Sequence, residues 1–196
     1  MSKKLSNTRE RILRATWKLM EAGDAGAVRM SDIASEAKLS RQAVYLHFET
    51  RADLLIATLE FIDEVLEVDQ RRMAFREAKS GIERIEAFVR YWGEYLPEFQ
   101  GVARALLAMK HQDEAARQAW DHRMNLLRRG CGAALRELRK DGHLADLWDK
   151  DVATELFWSM LSFEVWDTLT QKAGWSNEDY IDRITAQAIL TFAARA

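Results

Sequence analysis

Arg41, Gln42, Tyr45, His47 and Arg51 stand close together in the run SRQAVYLHFETR, and side chains of these types recognise nucleic acid. An arginine fork matches the O6 and N7 acceptors of guanine, and a glutamine amide matches N6 and N7 of adenine. Tyr45, one helical turn after Arg41, reaches a phosphate oxygen or a thymine methyl. Ser40, just ahead, is a good N-cap and lies where a phosphate meets the positive end of a helix. His47 and Arg51, at the far end, suit backbone contacts that set register. On sequence alone, Arg41 and Gln42 read bases or hold phosphate.

Such side chains work only if short helices hold them against a groove. Three helix starts fall between Met30 and Leu55. A short helix over 31–37, begun by Arg29 or Ser31, is interrupted at Lys38-Leu39-Ser40. A second helix of about eight residues covers 41–48, and Thr50 with Asp53 forms a capping box that opens a third. Ala34, Leu39, Val44 and Phe48 supply the inner face. Two short helices joined by a three-residue break form a helix-turn-helix, in which the first crosses the phosphate backbone and braces the second in the major groove. Arg29 and Ser31 thereby join the DNA-facing set. Charge agrees: residues 1–51 hold ten basic and six acidic residues, a net +4, which leaves −6 for the rest of a chain of net charge −2. A basic head on an acidic body suits polyanion contact by the N-terminal part.

The segment SDIASEAKLSRQAVYLHFETRADLL resembles the DNA-binding segment of the TetR/AcrR family of transcriptional regulators. Asp32-Ile33-Ala34 matches the family's first element, and Ala37, Leu39 and Ser40 match most of its Ala-Gly-Val-Ser turn. Tyr45, His47 and Phe48 match the third element, and Arg51 with Leu54-Leu55 the fourth. Two positions depart from the pattern. Lys38 stands where the family has glycine, at a place that needs left-handed backbone. Arg29 replaces the usual Ser/Thr cap. The resemblance covers residues 8–60. It implies an all-α fold, with an N-terminal three-helix helix-turn-helix DNA-binding domain (1–52) followed by a helical ligand-binding and dimerisation domain (53–196). It further implies a homodimer on an inverted-repeat double-stranded DNA operator, acting as a repressor released by a small-molecule effector. The last two long helices, about 150–172 and 177–194, would form the dimer interface.

The composition fits: one proline and nine glycines in 196 residues, with 48% hydrophobic and 31% charged residues, predict a helical globular chain. About nine helices are expected. Asn7 and Glu10 read as a capping box for the first, which carries Ile12, Ala15, Leu19 and Ala22 on one stripe and is closed by Gly23 and Gly26. The helix opened by Thr50 is expected to continue through the charged stretch to Lys79. Ile82, Ile85, Phe88, Val89, Trp92 and Leu96 make an amphipathic helix stopped by Pro97. A long helix runs from about Asp113 to Lys140, Asp149 caps a single helix over 151–172, and Ser176 or Asn177 opens the last.

Six of the seven tryptophans lie beyond residue 90. Phe88, Trp92, Trp120, Met124, Trp158 and Leu161 are the candidate ligand-binding set, against the alternative of ordinary core packing. Glu164 could face a cationic ligand or simply be solvated. His111 and His122 have poor spacing for a metal pair, so no metal and no cofactor are expected. No nucleophile elbow, phosphate-cradling glycine loop or His-Glu-x-x-His stands in the chain, so an enzyme is not expected. Cys131 in RRGCGAALRE lies inside a helical stretch, where its flanking glycines permit close helix contact or a bend. The rival reading is a helical small-molecule-binding protein or enzyme that uses the C-terminal pocket. No stretch is long and apolar enough for a membrane span, and no apolar segment follows Lys3-Lys4, so a cytoplasmic location is expected.

Overall fold

The computed structural model describes residues 2–23 and 28–194, with side chains from residue 7 onward. Eleven α-helices and one π-helical turn are found there, with no strand beyond an isolated bridge between Leu144 and Ala193. They pack into two compact units, Met1–Glu67 with Gln100–Arg123, and Val68–Phe99 with Met124–Ala196.

In the first unit, α1 (Ser2–Glu21) buries Ile12, Leu13, Ala15, Thr16 and Met20. The helix begins five residues before the expected cap at Asn7. Its buried stripe passes through Met20 while Ala22 is exposed. Gly23 closes it at φ 76°, whereas Gly26 lies outside the described residues. α2 (Met30–Glu36) starts at the N-cap Arg29, whose N–H donates to the Asp32 carboxylate at 3.3 Å; Ser31 therefore stands inside the helix. The exit from α2 is a Schellman closure: Leu39 N–H donates to Ala34 O at 2.9 Å and Lys38 N–H to Ser35 O at 3.0 Å. That closure needs a left-handed residue, and Lys38 takes it at φ 54°. A lysine there costs on the order of 1 kcal/mol. Lys38→Gly is expected to raise the unfolding free energy by about 0.5–1 kcal/mol, read as a small Tm increase.

α3 (Arg41–Tyr45) is shorter than the expected 41–48 helix. Leu46 caps it, and His47 and Phe48 both donate to Val44 O at 3.0 Å in a tightening turn. α4 (Arg51–Val65) follows its Thr50–Asp53 capping box and buries Leu54, Leu55, Leu59 and Ile62. It does not continue to Lys79. Glu67 adopts φ 52° and ends it; α5 (Val68–Arg71) and α6 (Met73–Glu77) follow as separate pieces.

α7 (Gly81–Met109) passes straight through Pro97, against the expected stop. Proline at 97 removes the N–H that would pair with Gly93 O. The Asn177 side-chain amide donates to that carbonyl at 3.0 Å, and its own oxygen accepts from Trp166 Nε1 at 2.9 Å. Asn177→Ala leaves both groups without these partners and is expected to cost about 2 kcal/mol. Pro97→Ala restores a donor for Gly93 and should recover part of that loss in a double-mutant denaturation cycle.

α8 (Glu114–Lys140) is capped by Asp113, which accepts from Ala115 N–H at 3.0 Å and Ala116 N–H at 3.2 Å. It ends at Gly142, φ 74°, as expected. The single helix expected over 151–172 is instead α9 (Lys150–Met160), α10 (Phe163–Asp167) and a π turn, Thr168–Lys172. The break has two causes: Leu161 O accepts from Trp92 Nε1 at 2.7 Å, and Ser162 caps the next piece. α11 (Asn177–Phe192) opens from the Ser176–Asp179 capping box. The second unit's interior is aromatic: Trp92 stacks on Tyr95 at 5.6 Å and Tyr95 on Phe99 at 5.1 Å, while Phe157 meets Phe88 at 6.3 Å and Phe192 at 5.7 Å. Cys131 is buried, and burial pushes its thiol well up, so it stays protonated.

Candidate nucleic-acid interface

α2, α3 and the turn after it bury Met30, Ile33, Ala34, Val44 and Phe48. The polar residues of α3 are thereby forced outward. Ser40 Oγ accepts from Ala43 N–H at 3.1 Å, fixing the start of α3. Arg41 and Gln42 follow in the first turn, both exposed. The Arg41 guanidinium donates to Tyr45 Oη at 3.3 Å and lies 5.5 Å from the centre of its ring. That hydrogen bond holds the Arg41 pKa above its ordinary value. Arg41 and Tyr45 thus form one braced pair, an i,i+4 neighbourhood on the helix surface. His47 is half-buried, and Leu46 beside it is 82% exposed, a residue that the polar-residue reading passed over. Phe48, under the turn, carries the Arg9 guanidinium 5.1 Å above its ring.

Five of the eight residues singled out for DNA, Arg29, Ser31, Arg41, Tyr45 and Arg51, line one cleft of about 620 Å³. Its other wall is the corner between α7 and α8, with Met109, Gln112 and Asp113. Ser40, Gln42 and His47 do not line it. Arg51 turns inward: its guanidinium pairs with Asp113, donates to Val28 O at 2.8 Å and reaches Met109 Sδ at 3.6 Å. The first residue of α4 therefore ties together the entry to α2, the end of α7 and the cap of α8. Sequence spacing gave no sign of this, because Asp113 lies 62 positions away.

Of the six candidate ligand residues, Phe88, Trp92, Met124 and Leu161 are buried and Trp158 is half-buried in the second unit. Trp120 belongs to the first unit, where Lys110 sits 5.4 Å from its ring centre. Glu164 is exposed. Among the described residues no helix is long and apolar enough to cross a membrane.

Residues 12–58 match the family model for bacterial regulatory proteins of the tetR family. Nucleoid occlusion factor SlmA of Vibrio vulnificus (strain YJ016) is 27% identical over 146 residues, 73% of this chain and 72% of that one. SlmA of Marinomonas sp. (strain MWYL1) is 29% identical over 108 residues, and the match spans 54% of that protein's length. Among solved structures, a transcriptional regulator of Saccharomonospora viridis, in complex with choline, shares the fold with a TM-score of 0.74 at 21% identity, over 97% of this chain and all of that one. NalD, the secondary repressor of the MexAB-OprM multidrug efflux pump in Pseudomonas aeruginosa, matches with a TM-score of 0.68 at 16% identity, over 97% of this chain and 99% of that one. Residues 12–58 thus carry a helix-turn-helix similar to that of bacterial regulatory proteins of the tetR family, and the helical fold around it is shared with these solved regulators along nearly the whole chain.

Proposed function

We propose that the protein is a repressor that binds an inverted-repeat operator as a homodimer and leaves it when a small-molecule effector binds the body. The observation that carries this is the α3 surface: a Ser40-capped helix, braced from behind by α2, presents Arg41, Gln42 and Tyr45 outward as one set. Arg41 and Gln42 meet base edges or phosphates, Tyr45 and Ser40 meet phosphate, and His47, Arg29 and Ser31 set register. Residues 1–52 serve DNA, and residues 53–196 serve ligand binding and dimerisation. The protein carries out no reaction of its own and acts in the cytoplasm, where its operator lies.

α9 and α11 support the dimer, because Val152, Leu156 and Leu190 stand exposed on them by 58%, 38% and 73% in the single chain. A second copy would cover them. The effector site is assigned to residues of the second unit, the aromatic Phe88, Trp92 and Trp158 with Met124 and Leu161. Among the described residues no group accepts from the buried indole N–H of Trp158, a donor that an effector's acceptor would satisfy. Switching runs through Arg51 rather than along one continuous helix. Motion at the α7–α8 corner reaches α2 and α4 through the Asp113, Met109 and Val28 contacts. A coupling of about 1–3 kcal/mol is enough for a ~5–150-fold loss of operator affinity. Sedimentation with footprinting tests the assembly: two copies protecting half-sites about 34 Å apart are expected. A monomer protecting a single half-site would overturn the dimer.

A further inference from the structure

We propose that the cleft between α8 and α9 binds a small molecule carrying two or more phosphate groups. The body is acidic, yet this cleft of about 500 Å³ is walled by Arg128, Arg129, Arg136 and Lys150, with Asp151 the one acid among its lining residues. Its volume falls in the range of small-molecule sites. Arg128 is paired with Glu155, and Lys150 with Asp151. Arg129 and Arg136 have no hydrogen bond or ion pair among the described residues, and both are exposed at the cleft. With Glu155 counted, four cations stand against two carboxylates, a net +2 at the cleft. Asp151 is exposed, yet its carboxyl is held below the ordinary carboxylate range by its hydrogen bond to Lys150, with the charges of Arg128 and Arg139 adding to it.

The two glycines around Cys131 separate packing from opening. A side chain at Gly130 would run into the Phe88 ring at 2.3 Å, so packing requires that glycine. At Gly132 a Cβ would meet only Thr154, at 3.5 Å, an ordinary contact. Packing therefore does not require Gly132, although glycine weakens a helix interior by about 1 kcal/mol relative to alanine. What Gly132 does is leave bare backbone on the cleft floor. Arg128 and Arg129 lie one turn before it and Arg136 one turn after, so their side chains flank that floor on one helix face. Guanidinium forks bind phosphate oxygens in pairs, and several cations around one open floor match a polyphosphate better than a single carboxylate.

Calorimetry of the full-length protein with inorganic tripolyphosphate at physiological salt tests this, with citrate as the carboxylate control. One saturable site per chain is expected, with citrate at least tenfold weaker. Arg129→Ala/Arg136→Ala should weaken tripolyphosphate at least tenfold while circular dichroism and duplex DNA binding stay as in the parent. Gly132→Asp, whose Cβ fits, should abolish binding by placing a carboxylate on the floor. Arg41→Ala should leave the site intact, which separates it from the DNA face. Absence of saturable binding, an unaffected arginine double variant, or citrate as tight as tripolyphosphate would each overturn the assignment.

Discussion

Arg123→Ala is expected to destabilise the protein by about 3–5 kcal/mol, because its ion pair is the most deeply buried among the described residues. Arg123 is 2% exposed and makes a fork–fork pair with Asp63, both bonds at 2.9 Å, while also donating to Leu59 O at 3.2 Å. It joins the end of α4 to the middle of α8. Removing the guanidinium takes both fork bonds away from the Asp63 carboxylate, which is 21% exposed. The loss comes from a part-buried carboxylate deprived of its fork–fork partner, together with the void left by the side chain. Arg123→Met with Asp63→Leu, which removes both charges and keeps the volume, should recover most of the stability in denaturant titrations. If Arg123→Ala alone unfolded at the parent's midpoint, the pair would not be holding α4 to α8.

Arg41→Ala and Tyr45→Ala are each expected to weaken DNA binding by about 1–3 kcal/mol, roughly 5–150-fold. The two side chains touch, at 3.3 Å between Arg41 Nη2 and Tyr45 Oη, so the double variant should lose less than the sum. Tyr45→Phe removes only the hydroxyl that orients Arg41 and should fall between parent and Tyr45→Ala. The two roles open to Arg41 separate by their salt dependence. A phosphate contact lowers the slope of log K against log salt by about 0.9 when it is removed, uniformly over sequences. A base contact instead relaxes preference at one operator position and leaves the slope unchanged.

What could be read from sequence and what could not divides by distance along the chain. Ser40, Thr50, Asp149 and Ser176 act as caps through bonds that close within three residues, and each stands where local spacing placed it. The left-handed turn at Lys38 and the Arg41–Tyr45 pair are equally local, so the outer surface of α3 was legible from its own few residues. The surprises depend on remote partners. Helix α7 survives Pro97 because Asn177, 84 positions on from Gly93, supplies the missing donor. The helix expected over 151–172 breaks at Leu161, whose carbonyl goes to Trp92, 69 positions back. Arg51 carries the right residue type for a phosphate contact, yet Asp113 draws it inward. Periodicity reports which face of a helix is apolar; it carries no information on which remote side chain will claim a backbone carbonyl or a charge.

The central claim is that the α3 surface reads DNA, and selection from a random duplex pool at physiological salt tests it most directly. The expected product is an inverted repeat with half-sites about one helical turn apart, bound roughly 5–150-fold more weakly by Arg41→Ala and by Tyr45→Ala. Recovery of no palindrome, or variants that hold the selected duplex as tightly as the parent, would contradict it.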